Sequence, residues 1–97
     1  MNEPNASGDR ATAEVRRLIR LQVAGDLSDA ALAPDVPLGP DGVGLDSVGV
    51  VELIVGCESF VGARLPQTLL DGGVTVGSLA GAMSRAMDEP RHADRAG

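Results

Sequence analysis

The stretch "GLDSVGVVELIVGCESFVGARLP", residues 44–66, decides how this chain is read. From Ser47 to Val61 it holds no proline and its apolar residues recur at helical spacing, which predicts a helix over about 47–61. Asp46 and Ser47 follow a glycine-rich segment, and both residue types are favoured where a helix opens. On a wheel of about 100° per residue, Val50, Leu53, Ile54, Cys57 and Val61 gather on one arc, the expected core face. Val48, Val51 and Val55 gather on nearly the opposite side, flanked by Glu52, Glu58 and Ser59, with Gly49 and Gly56 between the faces. A surface helix needs one apolar side to reach its core. The plain reading of the second side is that folded proteins expose much apolar surface. The sharper reading is a docking stripe, apolar in the middle and rimmed by carboxylates, for a partner with an apolar groove and basic edges.

Upstream, residues 25–46 carry Pro34, Pro37, Pro40, Gly39, Gly42 and Gly44, which is loop composition. Leu27, Leu32, Val36, Leu38 and Leu45 are spaced along it and predict a strap pinned across the helices. A first helix fits 12–24, with Val15, Leu18, Ile19 and Val23 on one face and Gly25 as its stop. Arg16, Arg17 and Arg20 point away from that face and read as a solvated group. Downstream, "QTLLD" at 67–71 predicts a short helical turn closed by Gly72 and Gly73. A last helix fits 76–87, with Val76, Leu79, Ala80, Met83 and Met87 at helical spacing and Thr75 as its N-cap. No run alternates long enough for a strand. Residues 1–10 and 88–97 are polar and read as disordered tails, leaving 11–87 as the folded part. The expected class is all-α, a small bundle of three main helices plus one short helix, with a long first loop.

The totals narrow the function. At 97 residues the chain holds one domain, and with Phe60 as its only aromatic the core must be aliphatic. The net charge of −6, with no Lys, argues against nucleic acid and anionic membranes and favours partners with basic patches. One cysteine allows no internal disulfide and fits a reducing compartment. No signal peptide or membrane span is visible, so a cytoplasmic monomer is expected. Cys57 falls on the core face and reads as structural. The segment "GPDGVG", 39–44, follows no strand and has no Lys, so it is no P-loop. One Cys and one His cannot build a zinc site, and the acids lack calcium-loop spacing. The only histidine, His92, falls in the tail, so no base is on hand to activate Ser47 and hydrolase chemistry is not expected. Ser47 can instead accept a modification. A phosphate group there would lie at a helix N-terminus, where free N–H groups and the helix dipole favour negative charge.

At these residues the chain resembles the acyl carrier protein family, the phosphopantetheine-attachment domains of fatty-acid and polyketide synthesis. The resemblance rests on "GLDSVGVVEL" (44–53), with "LGPDGVGLDS" (38–47) entering it and "ARLP" (63–66) and "TVGSLAGAM" (75–83) following in order. It implies that Ser47 takes a 4′-phosphopantetheine arm from coenzyme A and holds acyl groups on it as thioesters, with Asp46 preceding it in the motif. It implies that Val48, Val51, Glu52, Val55 and Glu58 form the recognition surface. The implied partners are a phosphopantetheinyl transferase and acyl-loading and acyl-transferring synthase enzymes, and the carrier catalyses nothing itself. The sequence departs from the pattern in Val48, in the helix-weakening Gly49 and Gly56, in Ser59 and Arg64 where relatives have acids, and in Phe60, one place before the expected core aromatic. "GLDS" leans away from the Gly-Gly-His-Ser of peptidyl carriers. An aminoacyl or peptidyl cargo stays open, as does an unmodified helical adaptor with the same fold. The abundance of Ala, Gly, Val and Arg fits a GC-rich bacterial source and a natural-product pathway.

Overall fold

The computed structural model describes residues 6–70 and 73–88, and over them the chain is all-α. Helix α1 spans Ala6–Val23, α2 spans Ser47–Val61 and α3 spans Val76–Asp88. Two 3₁₀ turns, Ala30–Leu32 and Gln67–Leu70, lie in the connections. The second is the expected short turn; Asp71 and Gly72 lie outside the described residues. So do residues 1–5 and 89–97, which include His92.

Helix α1 begins at Ala6 rather than near residue 12, so residues 6–10 are helical and not tail. Asp9 stands in the first turn, where its charge suits the helix dipole, and Ala11 is fully buried. The end of α1 also differs from expectation. The N–H of Ala24 donates to Leu21 O at 3.3 Å and that of Gly25 to Arg20 O at 3.2 Å, the pair of bonds that closes a Schellman ending. The left-handed position of that ending falls on Ala24, with φ at 55°, one residue before the glycine.

The three helices enclose one aliphatic core. Val15 and Ile19 enter it from α1, Leu53 and Cys57 from α2, and Val76, Leu79 and Met83 from α3. Each such aliphatic side chain contributes about 1.5–3 kcal/mol of transfer free energy. Gln22 bonds to Gly49 while Leu18 faces Gly56, so α1 and α2 run antiparallel. Helix α3 opens at Thr75, as expected. The Ser78 N–H donates to Thr75 Oγ1 at 3.0 Å and the Thr75 N–H donates to Ser78 Oγ at 2.8 Å, a reciprocal capping box.

The loop between α1 and α2 is the strap that its leucines predict. Leu32 and Leu38 are fully buried, Leu45 is buried, and Leu27 and Val36 pack half-buried against the core. Its backbone crosses the start of α3 in a one-residue antiparallel bridge, Pro37 to Thr75. The Leu38 N–H donates to Val74 O at 3.0 Å and the Val76 N–H to Val36 O at 2.9 Å. At Gly77 the chains are so close that an added Cβ would stand 2.8 Å from Pro34 O, which excludes any side chain there.

Arg16 and Arg20 are not the solvated group expected of them. A loop crossing a helix must satisfy its carbonyls, and these side chains do so: Arg16 Nε donates to Leu32 O at 3.2 Å and Arg20 Nε to Leu27 O at 2.7 Å. Both also reach Asp29, at 3.7 Å and 2.7 Å. The hydrogen bond from Arg20, then the charge of Arg16, hold the Asp29 carboxyl below its ordinary range. Arg17 alone stays outward, paired with Glu14 at 2.6 Å.

Candidate functional site

Ser47 is the first residue of α2 and is exposed. It is not the cap. Asp46 is, its Oδ1 accepting the Gly49 N–H at 2.7 Å. The Ser47 hydroxyl therefore makes no hydrogen bond among the described residues. The far side of Gly49 is held as well: its carbonyl accepts from Gln22 Nε2 at 2.7 Å. The first turn of α2 is thus tied to α1 and to its own cap, while the hydroxyl it presents is left free. A Cβ at Gly49 would stand 3.1 Å from both Asp46 Oδ1 and Gln22 Nε2, so this glycine is the condition for the double anchor. Gly56 differs, with only Leu18 Cδ1 at 3.4 Å and Cδ2 at 3.8 Å from an added Cβ.

Outward from Ser47 runs the expected stripe. Val48 is 64% exposed, Val51 49% and Val55 53%, and Glu52 is exposed beside them. Val51 also lines a shallow groove of about 510 Å³ that opens at Ser47, with Leu45, Val50, Leu70 and Val74 on its walls. Asp41 and Asp46 border it. The arrangement is a free hydroxyl between an apolar stripe and an apolar groove, with carboxylates at the edges.

Glu58 joins this surface only in part. Its side chain is 21% exposed, and Oε2 accepts the Leu65 N–H at 2.9 Å with Arg64 Nε at 3.8 Å. Helix α2 closes at Gly62, in the left-handed conformation, and the returning chain brings Leu65 beneath Glu58. The carboxylate thus serves the turn as well as the rim. Ile54 and Val61, expected in the core, are half-buried against it.

Cys57 is fully buried, and burial first, then the charges of Glu14 and Glu58, push its thiol up to about 12. It stays protonated and behaves as a small apolar side chain. No group of three or more His, Cys, Asp or Glu suited to a metal ion occurs among the described residues. No helix among them is long and apolar enough to cross a membrane.

Three members of the site carry no sequence signal of their role. Gln22 lies 27 positions from Gly49; Leu70 and Val74 reach the groove only through the turn after α2. Comparison of the chain with protein-family models, with curated proteins and with solved structures returned no match.

Proposed function

We propose that this chain is an acyl carrier protein whose Ser47 bears a 4′-phosphopantetheine arm. The reading rests on the family resemblance of the Asp46-Ser47 helix start. The observation that carries it furthest is the Ser47 hydroxyl, exposed and without a hydrogen bond at the head of an anchored helix. In the loading step the Ser47 oxygen attacks the phosphorus of coenzyme A that carries the pantetheine. The new ester bond forms as the pyrophosphate bridge breaks, and adenosine 3′,5′-bisphosphate leaves with the electron pair. The serine proton goes to a base of the transferase. Gly49 has already given its N–H to Asp46, so what this chain offers the phosphate is the dipole of α2 rather than that donor. The arm's thiol then carries acyl groups as thioesters to partner enzymes of polyketide or other natural-product synthesis, in the cytoplasm.

The partners are a phosphopantetheinyl transferase and synthase enzymes that load and remove the acyl group. They meet Val48, Val51 and Val55 with apolar side chains and Asp46, Glu52 and the exposed part of Glu58 with Arg or Lys. Exposed pairs of this kind speed encounter more than they tighten the complex, and they are screened over about 10 Å at 0.1 M salt.

The test is incubation with coenzyme A and a promiscuous phosphopantetheinyl transferase, read by intact mass. The wild-type chain gains one phosphopantetheine and Ser47→Ala gains none. Wild-type protein that stays unmodified with several transferases favours the unmodified adaptor instead. Raising salt, or Glu52→Lys at low salt, slows association with the transferase while circular dichroism is unchanged. Association rates indifferent to both remove the acidic rim from the account.

A further inference from the structure

At the other end of α2 the surface has the opposite character. Phe60, the only aromatic of the chain, is not in the core but 42% exposed. With Arg10, Val61, Ala86 and Met87 it lines a cleft of about 320 Å³. A second cleft, of about 290 Å³, has Leu65, Pro66, Arg64 and Arg85 on its walls. The two clefts share Ala86 and are ringed by three arginines. Six arginines fall among the described residues. Arg16, Arg17 and Arg20 are engaged with Asp29 and Glu14. The other three gather here. Arg10 and Arg85 form no ion pair among the described residues, and Arg64, 85% exposed, has Glu58 at 3.8 Å. The antiparallel course of α1 and α2 explains the clustering: it brings the start of α1 to the end of α2, some 20 Å along the helix from Ser47 at 1.5 Å per residue.

We propose that this arginine-ringed end is a second docking surface, which takes an acidic protein segment carrying two apolar side chains, one for each cleft. Each cleft has about the smallest volume found among small-molecule sites, which suits a side chain and not a cofactor. The positive rim selects a negative partner on a chain whose net charge is −6 and which would otherwise repel one. A half-exposed aromatic beside guanidinium groups is the composition of an interface centre. Three arginines around two apolar clefts form no continuous track for a nucleic-acid backbone. The surface is separate from Ser47 and does not depend on the carrier reading.

The experiment uses the full chain, isotope-labelled, and a helical peptide of glutamates with two leucines four residues apart. A lysine-for-glutamate version of the peptide and phosphatidylserine vesicles serve as the contrasting probes. Titration of the acidic peptide should shift the amide signals of Arg10, Phe60, Arg64, Arg85 and Met87 and leave those of Ser47 and Val48 in place. Phe60→Ala and Arg85→Glu should each weaken binding about tenfold, the equivalent of roughly 1.4 kcal/mol. Arg85→Glu alters an exposed position, so it tests the surface even if Phe60→Ala loosens the bundle. Equal binding of the lysine peptide, preference for the vesicles, shifts spread over the whole chain, or no shift at about 1 mM acidic peptide each overturns the proposal. Loading of Ser47 by a transferase should be the same in Arg85→Glu as in wild type.

Discussion

Helix α2 is aliphatic on two sides, and the two sides meet different surroundings. On one, Val50, Leu53 and Cys57 are at most 9% exposed; on the other, Val48, Val51 and Val55 are 49–64% exposed. Apolar character does not separate them, since both sides are built of side chains without a polar group. What separates them is what closes over each: α1, α3 and the strap cover the first, and no described element covers the second. The inward side is a matter of stability. The outward side adds little to stability, and its apolar character fits contact with other proteins.

Substitutions on the two sides should therefore part company. The largest effect belongs to Leu53→Ala, 1% exposed at present, which should cost about 2–5 kcal/mol in denaturant unfolding. Next is Gly49→Ala, which forces apart the Asp46 cap and the Gln22 amide and should cost about 1–3 kcal/mol. Gly56→Ala is its counterpart about two turns further on. There the added methyl meets only Leu18 at ordinary contact distance, so the gain in helix propensity should stabilise the chain by about 0.5–1 kcal/mol. Two alanine variants that stabilise the chain equally would mean that the Gly49 anchor is not tight. The smallest effect belongs to Val51→Asp, which should change stability by no more than about 0.5 kcal/mol while slowing transferase loading. If Val51→Asp unfolds the bundle and Leu53→Ala does not, the two sides are exchanged.

Much of this pattern is legible in the sequence because it is local. The period of α2 separates its faces, Thr75 marks the start of α3, and the leucines of the strap stand out in a proline- and glycine-rich loop. What is not legible depends on distant partners or on weak residues. The start of α1, "ASGDR", contains Ser and Gly, and its buried anchor Ala11 is too small to announce a core position. The work of Arg16 and Arg20 is done on backbone carbonyls, which have no sequence signature. Gly49 reads as a weak point of the helix until Gln22 is seen beside it. Glu58 reads as part of the rim until the return of the chain brings Leu65 N–H within 2.9 Å.

If the hydroxyl left free at the head of α2 is an attachment point, the mass of the protein isolated from the cells that make it should show the attached group. After cleavage at arginine, residues 21–64 form one peptide containing Ser28, Ser47 and Ser59. This peptide should carry one phosphopantetheine, and fragmentation should place it on Ser47. A peptide found only in unmodified form, or modified at Ser28 or Ser59 instead, would contradict it.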